Sequence, residues 1–411
     1  MVGGYGFLLL GLTDSMLGVA WPTIRQAFGE PLSALSLLLV ASALGYLTTA
    51  VPNGYLLNRF GAVSILAVAS LTAGFACALV AAAPDLWLLA SAALLLGAAS
   101  GSVDAGLNTV VANGGPLRLL NAIHGAYGVG TVAGPILMTL AIVSVGSWRL
   151  PYAMLIGAEV LCGLGWWTVR GSIHAVRSGR ALRAGNALRD CSAQDSAKRG
   201  RAVQASAERP ADSLGQQTTH LRVGVAVAVS VALVQAGTEL SAGQWAASYL
   251  RGITQLQVAS AGFAVAAYWG IFAVTRLALA LPSRQIAAEP MIRIGCIVAL
   301  AGAGLLSLGH SAVVSVAALV IIGAGLAPVF PMLLSVTPGL FGAPLARHVI
   351  GWQLAAAGAG GQCLSALTGI LLGRFGLLAM GPILVLLILM TLAGSLLLHK
   401  LAPPTSFREP Q

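Results

Sequence analysis

The chain keeps five ionisable side chains inside long apolar stretches: Asp14, Asp104, His124, Glu159 and Glu239. Each costs about 2.5–3.5 kcal/mol to hold at bilayer depth, so their retention points to proton or solute handling. Asp14, Gly18 and Trp21 fall at i, i+4 and i+7, on one face of a helix. That face offers a carboxylate, room for a ligand and an aromatic plate on which a sugar ring can stack. The competing reading is that Asp14 braces a discontinuous helix. Asp104 and Asn108 also share a face, one turn apart, and could serve a proton or merely tie two helices. His124 follows Asn121 by three residues, with Gly125 and Gly128 nearby. Imidazole changes charge near neutral pH, so His124 could pair with Asp104, bind solute, or be a satisfied core histidine. Gln235 and Glu239 repeat the carboxylate–amide pair; Trp245 is close in sequence but off their stripe. Trp352 and Gln353 are further solute-binding candidates, whereas Glu159 reads as structural.

Other chemistries find no support. The sequence has no Walker motif, no metal-ligand cluster and no nucleophile–base motif, which argues against an ATP-driven pump and an enzyme. No cofactor is implied. The five cysteines are scattered, without a CxxC pair, and read as small buried hydrophobes.

The elements that must carry these residues are membrane helices. The chain of 411 residues is 57% hydrophobic and 8% charged, against about a quarter charged in soluble domains. A helical span needs roughly 20 apolar residues. The pattern predicts twelve helices, at 5–27, 33–57, 62–84, 87–111, 120–145, 150–170, 221–249, 256–281, 290–309, 311–335, 345–372 and 376–399. The tenth, with Pro328, Pro331 and Pro338 in or just after it, should kink. The start of the chain lacks the basic region of a cleavable signal peptide. Residues 171–220 are polar and without apolar periodicity, as in a flexible linker. The expected organisation is a six-helix bundle over 1–170, a cytoplasmic linker over 171–220, a second bundle over 221–400 and a cytoplasmic tail over 401–411.

Charge supports that topology. With both termini cytoplasmic, 18 of the 22 Lys and Arg face inward, as the positive-inside rule requires. The net charge of +10 therefore reports topology and not nucleic acid. The halves also echo each other: Thr13-Asp14 with Gly18 and Trp21 in helix one, Thr238-Glu239 with Gly243 and Trp245 in helix seven.

Two stretches carry a family resemblance. GYLLNRFGAVSIL (54–66) resembles the loop signature of the major facilitator superfamily. Gly54, Arg59 and Gly61 match; Asn58 and Val63 replace the usual acid and base, which weakens the latch. After helix eight only Gly270 and Arg276 remain of its counterpart. Residues 101–135 resemble the helix-four to helix-five region of the fucose/glucose–proton symporters, through Asp104, Asn108, Asn113, Gly115, Pro116, Leu120, Asn121, Tyr127 and Gly128. The resemblance implies an all-α membrane protein of twelve helices in two pseudo-symmetric bundles, with a solute site between them. It implies proton-coupled import of a small neutral polar solute such as a monosaccharide. Asp14, Asp104 and His124 would couple protons. Trp21, Asn108, Asn121, Tyr127, Gln235, Glu239, Trp245, Trp352 and Gln353 would contact solute. Gly54, Arg59, Gly61 and Arg276 would form the latch, Arg276 by ending helix eight. The expected partners are solute, protons and the lipid of a cell (inner) membrane, for a monomer. Gly130, Gly134 and Pro135 also resemble an antiporter signature, so a proton-driven drug or metabolite exporter is the alternative; a sensor that kept the fold would need a signalling appendage.

Overall fold

Lipid offers no partner for a free peptide group, so apolar segments of this length satisfy their backbones internally as helices. The computed structural model describes residues 2–112, 117–168, 211–279, 287–309 and 311–401, with side chains left out at 110–112, 117–121, 211–220 and 343. Most of the 171–220 linker, Asn113, Gly115, Pro116, the side chain of Asn121 and the tail lie outside that description. Twelve helices among the described residues are long and apolar enough to cross a membrane. They are α1 (Val2–Phe28), α2 (Leu32–Ala50), α3 (Ala62–Ala82), α4 (Leu86–Thr109), α5 (Ala122–Val145), α6 (Arg149–Thr168), α7 (Leu221–Ile253), α8 (Val258–Leu279), α9 (Ala288–Leu308), α10 (Ala312–Gly342), α11 (Pro344–Phe375) and α12 (Leu377–Leu401).

Two boundaries differ from expectation or explain it. The second helix does not run to 57. It stops at Ala50, because Pro52 has no N–H to continue the ladder, and a separate short helix follows at Asn53–Phe60. The tenth does kink: the helix breaks at Ala327–Pro328. Gly342, at φ 72°, then turns the chain into α11.

The pairings repeat. In the first half α1 packs on α5, α2 on α4 and α3 on α6; in the second α7 packs on α11, α8 on α10 and α9 on α12. This pseudo-symmetry is that of two six-helix bundles. Between them α1 meets α7, α2 meets α11 and α5 meets α8. An even number of crossings returns the chain to its starting face, here called the terminus face. From mid-membrane to the opposite face the bundles are closed. Ser36 Oγ donates to Ala366 O at 2.7 Å, Gln244 Nε2 donates to Asp14 O at 2.8 Å, and Thr139 presses on Gly262. Toward the terminus face, His124 of α5 is exposed.

Candidate functional site

Close helix approach sets the first cluster. Gly11 of α1 and Gly130 of α5 face each other; a Cβ on Gly11 would stand 2.9 Å from Thr131 N, and one on Gly130 2.9 Å from Leu12 N. Only glycine allows that approach. The Gly130–Gly134–Pro135 stretch thus works here as the groove that receives α1. It brings Tyr127 to Asp14, with Tyr127 Oη donating to Asp14 Oδ2 at 3.2 Å. Phe7 meets the rings of Tyr127 and His124 edge-on, at 6.5 and 5.4 Å.

The second cluster lies between α2 and α4. Tyr46 Oη donates to Asp104 Oδ2 at 2.8 Å, and Asn108 Nδ2 donates to Asp104 Oδ1 at 2.8 Å. Both carboxylate oxygens therefore accept a hydrogen bond. His124 does not hydrogen-bond Asp104 but has Asp104 and Arg276 as charged neighbours. Tyr46 also packs against Gly358 of α11, so this acid sits beside the seam between bundles.

The third cluster belongs to the second bundle and follows from the kink in α10. Proline at 331 has no N–H, which leaves the carbonyl of Ala327 without its helical donor. Arg276 Nε fills that role at 3.1 Å, and Arg276 Nη2 pairs with Glu239 Oε1 at 3.3 Å. Gln235 Nε2 donates to Glu239 Oε1 at 3.1 Å and to Leu326 O at 3.2 Å. Tyr268 Oη donates to Glu239 O at 2.9 Å. Arg276, expected as a latch in the last turn of helix eight, is thus drawn onto Glu239 in an ion pair within the bundle. The other latch residues stay outside: Gly61 turns at φ 81°, a Cβ on Gly54 would meet open space, and Arg59 is exposed over Phe60.

The three tryptophans do not reach the cleft. Trp21 is fully buried and donates to Leu32 O at 3.1 Å. Seven residues past Asp14 its face of α1 meets the start of α2 and not a ligand space. Trp245 is fully buried and donates to Ser365 O at 2.9 Å. Trp352 is 52% exposed and in helical register with Ile370, also 52% exposed, on the outward stripe of α11. Gln353 is buried as a tie, accepting from Thr337 Oγ1 at 3.0 Å and donating to Ala228 O at 3.4 Å.

Sequence reasoning passed over Tyr46, Gln244, Gln362 and Tyr268. Gln244 and Gln362 each bury a side-chain oxygen without a partner among the described residues. Both line, with Asp14, a narrow cavity of about 50 Å³. The available signal was a long amide beside a residue already singled out (Gln244 next to Trp245) and one following a glycine pair (Gln362).

The sequence profile of the Major Facilitator Superfamily matches residues 4–361. The chain belongs to the major facilitator superfamily. It is a membrane transporter and not an enzyme. Solved structures share the fold. A bacterial homolog of the human lysosomal transporter Spinster, inward-facing and occupied, has a TM-score of 0.72 at 14% identity, covering 100% of this chain and 98% of that one. A D-xylose–proton symporter reaches 0.71 at 16% identity, covering 98% and 97%. The nucleoside transporter NupG reaches 0.67 at 12% identity, covering 97% and 98%. Among curated sequences, membrane protein MosC of Rhizobium meliloti is 26% identical over 191 residues, 46% of each chain. The match thus spans less than half the length of that relative.

Proposed function

We propose that this transporter imports a small neutral polar solute, a monosaccharide or close relative, together with protons, by alternating access in a cell membrane with both termini cytoplasmic. The observation that carries the reading is the Asp104 cluster. A carboxylate held by Tyr46 and Asn108, with the titratable His124 as a neighbour, stands beside the bundle seam. A group that changes charge there favours one arrangement of the bundles over the other, and solute shares that preference. The resemblance of 101–135 to fucose/glucose–proton symporters and the fold shared with a D-xylose–proton symporter support the same class. Asp14 with Tyr127, and Glu239 with Arg276, supply further polar contacts along the cleft.

Asp104→Asn tests the coupling. It is expected to abolish uphill uptake in a pH gradient and to spare solute counterflow. Normal uphill accumulation by this variant sinks the assignment. The Gly130–Gly134–Pro135 stretch favours a second reading, proton-driven export. Proton-driven accumulation of a dye or antibiotic in everted vesicles would select it.

A further inference from the structure

The cavity that reaches Asp14 lies almost wholly inside the first bundle and touches the inter-bundle space only at its Asp14 end. Its walls are Leu17 and Ile24 of α1, Leu38, Leu39 and Ser42 of α2, Val80 of α3, Leu89, Ala93, Leu96 and Ser100 of α4, and Tyr152 of α6. All belong to the first bundle. Only Gln244 and Gln362, at the Asp14 end, come from the second. From Asp14 to Ile24 the space runs ten residues along α1, roughly 15 Å at 1.5 Å per residue. Ile24, Val80, Leu89 and Tyr152 stand within about a turn of the helix ends on the face opposite the termini. Directly beyond them lie Phe28, Trp148 and Arg149: the two rings meet edge-on, Arg149 lies 4.2 Å from the Trp148 ring centroid, and its Nη2 donates to Ala83 O at 2.8 Å.

The wall is apolar but interrupted along its length. Ser42, Ser100 and Tyr152 carry hydroxyls that bond no other described residue, and the side-chain oxygens of Gln244 and Gln362 are likewise unpartnered. A water-sized sphere can occupy about 50 Å³ of this space, and with a polar group at each level such a cavity can hold water, which needs about two to four such partners. The groups facing Asp14 are Tyr127 from α5, Gln244 from α7 and, more distantly, Asp104 from α4. Between the bundles, by contrast, the same face is shut by Ser36 on Ala366 and by Gln244 on Asp14.

We propose that this cavity is the route by which a proton reaches Asp14 from the face opposite the termini, separate from the solute's route between the bundles. Asp14 is then loaded while the cleft faces the terminus side, and Phe28, Trp148 and Arg149 cap the entrance. The proposal rests on the proton-coupled reading above and adds to it a path and an order of events.

The test uses the full chain with Ala93→Cys on the cavity wall and with Cys191 and Cys363 replaced by Ser. In proteoliposomes, solute-driven proton uptake and solute counterflow are measured on one preparation before and after a benzyl methanethiosulfonate. Because the same folded protein is compared with itself, loss of folding cannot produce the result. The expected outcome is at least a tenfold fall in proton uptake with counterflow kept within twofold; the smaller methyl adduct leaves both within twofold. Proton uptake that survives complete modification overturns the route. A parallel loss of counterflow also overturns it, because the cavity then belongs to the solute's path. If the unmodified protein moves no protons with any solute, the proton-coupled reading fails first, and that failure is visible before any adduct is made.

Discussion

Asp104 has a neutral side-chain donor on each oxygen, from Tyr46 and from Asn108. A hydrogen bond to a charged group contributes about 1.5–3 kcal/mol. Tyr46→Phe removes one and should slow proton-driven uptake several-fold while leaving counterflow near normal; equal loss of both would make Tyr46 a packing residue only. The tryptophans separate in the opposite sense. Trp352→Leu on the outward stripe should leave uptake within twofold. Trp21→Ala, which empties a fully buried site, should cost about 3–5 kcal/mol, read as a clear drop in melting temperature in detergent. Acids and amides in apolar runs were legible in the sequence, because their cost in lipid announces them. The direction of each side chain was not. Asp14 and Trp21 share a helical face, yet one meets Tyr127 and the other the start of α2, since neighbours change along a helix. Gln244 was missed for the same reason: it lies 100° around α7 from Trp245.

At the level of elements, proline and glycine chemistry explains how the site is held. The kink in α10 was legible from its prolines. Its consequence was not, because the residue that satisfies the freed Ala327 carbonyl, Arg276, sits 51 positions away. Pro331→Ala restores the missing N–H, and Arg276→Met removes the replacement donor. In a double-mutant cycle on melting temperature or uptake, these two changes should be non-additive by at least about 0.5 kcal/mol, because both act on one carbonyl. Additive effects would mean that Arg276 does not stabilise the kink. The groove of α5 makes a second claim. Gly130→Leu should drive α1 from α5, separate Tyr127 from Asp14 and reduce uptake more than tenfold in protein that still reaches the membrane. The second helix shows the limit of reading hydropathy alone: Leu56 and Leu57 continue the apolar run past Pro52, but the backbone cannot.

For the whole molecule, composition and an even number of apolar runs made the architecture legible, because a bilayer admits so few solutions. The state of the cleft was not legible, since closure depends on contacts between segments hundreds of residues apart, such as Ser36 with Ala366. A Cβ on Gly373 would stand 2.8 Å from Ser33 Cβ, near enough for a disulfide after a small outward shift. The pair Ser33→Cys and Gly373→Cys should therefore crosslink under oxidation, stop transport, and recover with reductant. Full transport by the crosslinked form would contradict rocking of the two bundles. The central claim, that proton movement drives solute through this chain, is tested most directly by uptake of radiolabelled monosaccharides, xylose, glucose and fucose among them, into proteoliposomes with an imposed pH gradient. At least one sugar should accumulate many-fold against its gradient, and a protonophore should return it to equilibrium. Accumulation of none of them, or accumulation that a protonophore leaves untouched, would contradict the account.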